Sequence, residues 1–580
     1  MSREENSKDS PAKALFLGNI REDLIFPFPK VSAEEKESLE MVIDSINKFM
    51  SDKAQVFREY DEKGEQPQEY INNLKELGLF GLIIPEEYGG IGFSNTAYSR
   101  VLQQTSFYDS STSLTVGAHS SIGMKALLLF GDEAQKKKYL PSLASGEMIA
   151  AFCLTEAGSG SDAASIKTNA KKQADGSWLL NGEKIWITNG GTAGFFTVFA
   201  RTEGEKGKMT AFIVERSLEG VANGPKEDKM GIRASSTTTV SFNNVKLPAQ
   251  SVLGGEGNGF KVAMSVLNNG RTGLGGGCVG GMKRCIALAA KQASERKQFG
   301  KSIAEFGLVK EKIAAMTVSC FATESVVSLV GYYIDNDFAD YSVEAAISKV
   351  FASEALWYVA DEALQIAGGN GYMREFPYEN IVRDSRINRI FEGTNEILRL
   401  YISLSGMKDA GEYLKDVGKK MGNIFNDPIK GFGVLSQYAT KKVSQLTPLG
   451  RDRIELVNAN LRNQALVYEN YTRELAKATE IILRRHGKNI VEKQFAMKRI
   501  ADVTIDLFVG LCVLSRVSAL IEQKGVENCK HEINMATIFS QQAKRRMNQN
   551  LRRVDINEDE EMKDLSDYIV GQGKYPWDTI

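Results

Sequence analysis

Apolar residues recur at three- and four-residue spacing over most of this chain and at two-residue spacing in one internal block. From Ser32 to Glu147 the period is helical. SAEEKESLEMVIDSINKFM sets Leu39, Val42, Ile43, Ile46 and Phe49 on one stripe, with Ser32 and Glu35 at capping-box spacing. Further helices are expected near Tyr70–Leu77 and over Ala97–Phe130, separated by the breaker IPEEYGGIGF. At Met148 the period changes. MIAAFCLTE, ASIKTNAKKQ, SWLLNGEKIWITN, FFTVFARTE, MTAFIVER and TTVSFNNVKL alternate or run apolar between DG, NG and NGG turns, giving six or seven short strands that end near Gly259. The helical period returns from Phe260 to Gly406, in its longest runs over Leu308–Ile334 and Val343–Ile366.

The chain therefore divides into a polar arm (1–31), disordered or draping; a helical domain (32–147); a β-domain (148–259); a helical bundle (260–406); a loose Gly- and Lys-rich linker (407–450); and a helical extension (451–580). The expected fold is mainly α with an inserted antiparallel β-domain. Strands grouped between two helical halves, rather than alternating with helices, disfavour a doubly wound nucleotide fold.

Composition narrows the function. The 580 residues carry 72 Lys plus Arg against 73 Asp plus Glu, a balance unlike that of a dedicated nucleic-acid binder. No run approaches about 18 uninterrupted apolar residues, so no transmembrane helix is expected. The three histidines, His119, His486 and His531, fall in no metal-ligand spacing, so no metal is expected, and they offer little to a Ser–His or Cys–His nucleophile. Six cysteines without a CxxC pair read as reduced, mostly buried thiols.

Two glycine patterns look like dinucleotide motifs and fail their context. Gly275–Gly280 matches GxGxxG inside a helical region with no preceding strand, so close helix packing explains it better. Gly158–Ala163 follows a strand but leads into another strand; its backbone N–H groups still suit a flat polar ligand. Trp186, at the end of a neighbouring strand, either covers such a ring or sits in the core. Glu392, after Ile390 and Phe391 and before Gly393, is a candidate general base if buried and a plain turn glutamate if exposed; Thr394 has the position of a cap for the helix that follows.

CLTEAGSGSDAASIKTNA, LNGEKIWITNGG, RKQFGKSI, QIAGGNGY and RIFEGTNEILRL, in this order, resemble the acyl-CoA dehydrogenase family. GKNIVEKQFAMKRIADVTIDLF resembles the C-terminal extension of its very-long-chain type and of a related respiratory-complex assembly factor. The resemblance implies FAD as cofactor and Glu392 as the base that takes the α-proton of an acyl-CoA while the flavin accepts the β-hydride. The enolate oxygen would be held by the Glu392 backbone N–H and a flavin ribityl hydroxyl. Relatives with the base on another helix place it just before an arginine; here that position is Gly270, before Arg271, which leaves Glu392 alone.

By the same resemblance, Phe152, Leu154, Thr155, Gly160 and Ser161 touch the isoalloxazine, Ser161 also meeting the acyl-CoA. Trp186, Ile187 and Thr188 cover the ring. Arg296, Gln298 and Phe299, with Gln365, Gly368 and Gly369, reach the cofactor of a neighbouring subunit, and Thr394 and Glu396 lie near its adenosine diphosphate. Asn268, Arg271, Phe391 and Gly393 are the positions for the CoA ester. Gly307 stands where many short- and medium-chain relatives carry a cofactor-contacting glutamine, and that contact is not carried over. Ser113 and Gly117, four apart on one helical face, either leave depth for a long acyl tail or serve packing.

Relatives with this extension are dimers, so a homodimer handing electrons to an electron-transfer flavoprotein is expected. The alternatives are an assembly factor with residual dehydrogenase activity and an acyl-CoA oxidase. Without an evident presequence, a bacterial cytoplasm is the expected location, or a mitochondrion if the chain is processed. Residues 423–450 combine Ile424, Phe425, Phe432, Val434 and Leu435 with Lys430, Lys441 and Lys442 against the lone acid Asp427. Such a segment suits peripheral contact with an anionic membrane, or serves as a linker. Deleting 423–450 is expected to abolish co-sedimentation with anionic liposomes; unchanged sedimentation would rule the contact out.

Overall fold

The computed structural model describes residues 10–202, 208–422, 453–554 and 556–579, with side chains omitted at 413–422 and 488. The membrane expectation for 423–450 lies outside the described residues. Contacts divide the chain into two units, one over Phe28–Ile397 and one formed by Ser10–Pro27 with Leu398–Ile580.

Of the arm expected to be disordered or draping, residues Ser10–Pro27 are an ordered part of the second unit. Two short helices, α1 (Pro11–Leu15) and α2 (Glu22–Ile25), bury Ala12, Leu15, Phe16, Ile25 and Phe26. Its polar character comes from the first ten residues, and the apolar ones behind them decide its fate. Ser515 Oγ donates to the Ile25 carbonyl at 2.6 Å, and Glu22 accepts from the Glu455 and Leu456 backbone N–H groups at 2.7 and 2.9 Å.

The first unit begins with α3 (Ala33–Met50), α4 (Ala54–Lys63) and α5 (Gln68–Glu76). The predicted stripe of α3 packs as read, with Leu39 and Ile46 buried and Val42, Ile43 and Phe49 against them. Its capping box is only half formed. Ser32 Oγ accepts from the Glu35 N–H, but the Glu35 carboxylate turns to the Ser94 N–H at 2.7 Å.

The long helix expected over 97–130 is broken into α6 (Asn95–Tyr108), α7 (Ser110–Gly117), a π turn (Ala118–Gly123) and α8 (Lys125–Phe130). Asp109 ends α6 in extended backbone and caps α7, its Oδ2 accepting from the Thr112 N–H at 2.7 Å. α9 (Glu133–Ala144) completes this layer. His119 is fully buried: its Nδ1 accepts from the Ala150 N–H at 2.9 Å and its Nε2 faces the Phe80 carbonyl. Burial holds its pKa down to about 4, so it is a neutral tie between the helical layer and the β-domain rather than a catalytic base.

The β-domain is one eight-stranded sheet of β1 (Ala150–Cys153), β2 (Asn169–Lys172), β3 (Trp178–Thr188), β4 (Phe195–Thr202), β5 (Met209–Glu215), β6 (Val221–Lys226), β7 (Thr237–Leu247) and β8 (Val252–Leu253). Its order is β6-β7-β3-β2-β4-β5-β8, with β1 beside β4. The antiparallel expectation holds except at β4, which runs parallel to both β1 and β2. Parallel neighbours need a long return path, and the loop and strands between Cys153 and Phe195 provide it. The mostly polar β6 and the two-residue β8 carry too little alternation to be read from sequence.

The bundle consists of α10 (Gly259–Glu295), α11 (Gly307–Asp335), α12 (Ser342–Ala367), the short α13 (Gly369–Tyr372) and α14 (Tyr378–Ser385), with a two-strand hairpin, β9 (Lys297–Gln298) and β10 (Lys301–Ser302), after α10. The glycine run of α10 is a packing face, as read. A methyl group at Gly276 would overlap the Ser99 carbonyl, at Gly280 the Gln103 carbonyl and at Gly275 the Val327 side chain. α10 thereby lies against α6 and α11 at a spacing no larger side chain allows.

α15 (Asn395–Gly422) enters the second unit, where α16 (Arg462–His486), α17 (Gln494–Lys524) and α18 (Lys530–Arg552) form the helical extension, followed by α19 (Asp559–Gln572). By length and mean hydropathy α11 and α17 are apolar enough to cross a membrane, contrary to the run-length expectation. Yet 83% of the apolar window of α17 is buried inside its own unit, as a core helix would be. All six cysteines are free and buried.

Gly280→Ala is expected to cost about 1–3 kcal/mol of stability, although alanine favours helix, because the overlap is with backbone. Thermal melting checks it; an unchanged or higher Tm would mean that α6 and α10 have room to part.

Candidate active site

α14 passes into a 3-10 turn, Arg386–Arg389, which ends when the Ile390 and Phe391 N–H groups both donate to the Ile387 carbonyl, at 2.8 and 3.2 Å. Two residues then take left-handed backbone in succession, Glu392 at φ 55° and Gly393 at φ 92°. Glycine does so freely, whereas a glutamate there costs roughly 1–2 kcal/mol. Thr394 Oγ1 accepts from the Ile397 N–H at 3.3 Å, the cap read from sequence.

The turn leaves Glu392 half-buried and draws one of its carboxylate oxygens out of water. Its Oε2 is buried without a hydrogen-bond partner, so the exposed-glutamate alternative is excluded. Burial pushes its carboxyl up to about 7, against the opposing pull of the Arg271 and Lys349 cations. A carboxyl poised there exchanges a proton near neutral pH, as a general base must.

The two cations come from two helices. Arg271 on α10 is 6% exposed, and its Nη1 donates to Asn268 Oδ1, one turn earlier, at 2.6 Å. Lys349 on α12 is fully buried, its Nζ donating to the Gly393 carbonyl and to Asn395 Oδ1, each at 2.8 Å. Tyr98 on α6 shares a hydrogen bond with Ser121 at 2.8 Å. Burial, with a smaller contribution from the charge of Glu392, holds its phenol well above the usual range.

The β-domain supplies a second group of residues. β3 carries a bulge between Lys184 and Ile187, and Trp186 within it takes φ 56° and is 64% exposed, so it is not a core tryptophan. The bulge leaves the Ile185 N–H to donate to the Thr155 carbonyl at 3.0 Å, joining Trp186, Ile187 and Thr188 to Phe152, Leu154 and Thr155. Buried Lys184 reinforces the join by donating to the Leu154 carbonyl at 3.0 Å and Glu156 Oε1 at 2.7 Å. Beyond Glu156, added methyl groups at Gly158 and Gly160 would meet nothing within 4 Å, which leaves the loop backbone open beside an exposed aromatic ring. These residues fit a planar heteroaromatic group with polar edges. Phe152 and Leu154 also share an apolar cluster with Met264 and Leu267 of α10, one turn before Asn268 and Arg271.

The remaining predicted positions stand apart. Arg296, Gln298 and Phe299 lie exposed on and beside the β9–β10 hairpin, with Phe299 93% exposed, and Gln365, Gly368 and Gly369 are exposed where α12 ends. Glu396 and Ser161 are also exposed. Gly307 is open, with nothing within 4 Å of an added methyl.

Family models match the chain in four consecutive blocks: the acyl-CoA dehydrogenase N-terminal domain over 36–147, its middle domain over 151–245, its C-terminal domain over 257–406, and the "ACAD9/ACADV, C-terminal domain" over 459–575. The human mitochondrial very long-chain specific acyl-CoA dehydrogenase is 43% identical over 546 residues, covering 91% of this chain and 82% of that protein. The chain belongs to the acyl-CoA dehydrogenase family.

The solved acyl-CoA dehydrogenase of Bacillus anthracis complexed with FAD aligns at a TM-score of 0.79 with 32% identity, covering 97% of this chain and 95% of that one. Butyryl-CoA dehydrogenase of Megasphaera elsdenii aligns at 0.62 with 37% identity, covering 65% and 99%. This chain is therefore an FAD-dependent acyl-CoA dehydrogenase with an additional C-terminal helical domain, and its relatives include mitochondrial and bacterial enzymes. The open Gly158–Gly160 loop and exposed Trp186 suit the flavin that the family uses.

Sequence reading missed Lys349, Tyr98, Asn395 and the Lys184–Glu156 pair. One signal was available: Lys349 is the only lysine within the predicted helix Val343–Ile366, in the mostly apolar run AAISKVFA.

Proposed function

We propose that this dehydrogenase oxidises long- and very-long-chain acyl-CoA between Cα and Cβ to the trans-2-enoyl-CoA in fatty-acid β-oxidation, with electrons passing to an electron-transfer flavoprotein. The observation that carries the proposal is the buried, unpartnered Oε2 of Glu392. FAD, when bound, supplies the hydride acceptor that no side chain provides.

The chain's own residues handle the proton and the charge. The Cα–H bond breaks toward the Glu392 carboxylate, and negative charge develops on the thioester oxygen. Among the described residues nothing accepts from the Glu392 backbone N–H, which leaves that donor free for this oxygen. Arg271, held by Asn268, favours the ionised base, and Asn268, Arg271, Phe391, Gly393 and Ser161 form the binding positions for the CoA ester. Phe152, Leu154, Thr155, Gly160 and Ser161 form the flavin loop, with Trp186, Ile187 and Thr188 over the ring and Thr394 and Glu396 near the adenosine diphosphate. Arg296, Gln298, Phe299, Gln365, Gly368 and Gly369 face outward, as residues do that reach the cofactor of a second copy, so the working form is a homodimer.

Small residues support the long-chain reading. Gly117 on α7 has only Leu102 at 3.7 Å from an added methyl, so packing does not require glycine there, and the nearby Ser113 is likewise small. Anaerobic bleaching of the flavin by octanoyl-, palmitoyl- and eicosanoyl-CoA in turn is expected to favour the two longer substrates; preference for octanoyl-CoA would refute the chain length. Peroxide release under oxygen without a flavoprotein acceptor would point to an oxidase.

Glu392→Gln is expected to retain FAD and lose turnover by several orders of magnitude; parent-like turnover would remove Glu392 from the mechanism. The same variant has a stability signature. Because the folded carboxyl titrates near 7 and the unfolded one near 4.5, its favourable contribution is complete below about pH 4.5 and lost as pH rises through 7. At pH 8 the buried charge then costs up to about 3 kcal/mol, and glutamine removes it. Glu392→Gln should therefore melt higher than the parent at pH 8 and show no such gain at pH 4.5.

A further inference from the structure

The left-handed pair Glu392–Gly393 is tied on its upstream side by the turn onto the Ile387 carbonyl. Downstream of the pair the hold comes from α12. Lys349 and Ser353, one turn apart on that helix, both reach Asn395: Lys349 Nζ at 2.8 Å from Oδ1 and Ser353 Oγ at 3.0 Å from Nδ2. Asn395 Nδ2 also lies 3.1 Å from Glu354 Oε1. Only Lys349 goes further and holds the turn itself, through the Gly393 carbonyl. Lys349, Ser353 and Asn395 are all fully buried, so this clamp is shielded from competing water.

We propose that Lys349 is a positioning residue for the catalytic carboxylate. It grips the Gly393 carbonyl, fixes the left-handed turn, and thereby aims Glu392 while lending it positive charge. The inference rests on the reading of Glu392 as the base.

Besides Lys349, the groups facing Glu392 are Arg271 and Cys278 on α10 and Tyr98 on α6. Lys349 itself faces Glu392, Arg271, Cys278 and Glu354, and burial brings its pKa down to about 8, so it carries its proton where Glu392 titrates. Removing that charge must raise the pH at which Glu392 ionises, because only Arg271 then opposes burial. Removing the donor must loosen the turn, and a displacement of an ångström at a reacting group costs on the order of 100-fold in rate.

Two substitutions separate these effects in the full-length, FAD-loaded enzyme. Lys349→Met removes donor and charge; Lys349→Gln keeps an amide donor of similar reach without the charge. With palmitoyl-CoA, both are expected to move the acid limb of the kcat–pH profile to higher pH. At a pH above that limb, Lys349→Met should lose about 100-fold in kcat with KM changed no more than a few-fold, and Lys349→Gln should recover at least tenfold of that loss. Flavin content and Tm are read alongside.

A parent-like acid limb in both variants would overturn the proposal, as would a defect confined to KM. Should Lys349→Met fail to fold or to hold FAD, the limb of Lys349→Gln decides alone. Glu392→Gln measured in parallel distinguishes the two failures. If it is inactive while the Lys349 variants match the parent, only the positioning role falls; if it turns over normally, the base assignment falls first.

Discussion

A carboxylate oxygen without water or a hydrogen-bond partner is among the least tolerated atoms in a folded protein, because its lost hydration is returned by nothing nearby. Here that atom is Oε2 of Glu392, a residue that is otherwise half-buried, and much of the surrounding architecture serves to keep it there. The left-handed turn places it, and Lys349 and Arg271 supply opposing charge without a direct hydrogen bond to Oε2. A full salt bridge would lower the pKa and satisfy the carboxylate. Distant cations leave it poised near 7, with an oxygen still able to take a proton.

The β-domain meets the opposite requirement. It presents an exposed aromatic ring and an open backbone, both of which a sheet tends to bury or pair. The bulge in β3 turns Trp186 outward and leaves the Ile185 N–H to hold the Thr155 loop. The buried Lys184–Glu156 pair then fixes the loop from beneath, with Glu156 also accepting from the Lys167 and Thr168 N–H groups at 2.6 and 3.0 Å. This pair is buried but hydrogen-bonded to its surroundings, so it stiffens its loop, whereas Oε2 of Glu392 is left without a partner.

The second unit follows a simpler logic. α17 is nearly surrounded, Tyr468 of α16 lies where any side chain at Gly510 would be, and Phe16 lies where any at Gly406 would be. An N-terminal segment more than 370 residues distant in sequence from Leu398 thus completes the C-terminal core. Local pattern reads such a segment as an arm because its apolar residues are too few to form a core of their own.

Periodicity alone determined where helices give way to strands and back, since the shift from a 3.6- to a 2-residue repeat is a property of neighbouring side chains. It also exposed the glycine run of α10 as a packing face and gave the Thr394 cap. Motif spelling, through resemblance, gave the family and singled out Glu392, the Gly158–Gly160 loop and the exposed hairpin. Only the tertiary structure decided that Oε2 of Glu392 is buried, that Trp186 faces outward, that β4 pairs in parallel with β1 and β2, and that Lys349 meets Gly393 and Asn395. Burial, strand pairing and the reach of a lysine between elements more than 40 residues apart depend on which surfaces the folded chain brings together. No repeat along the sequence carries that information.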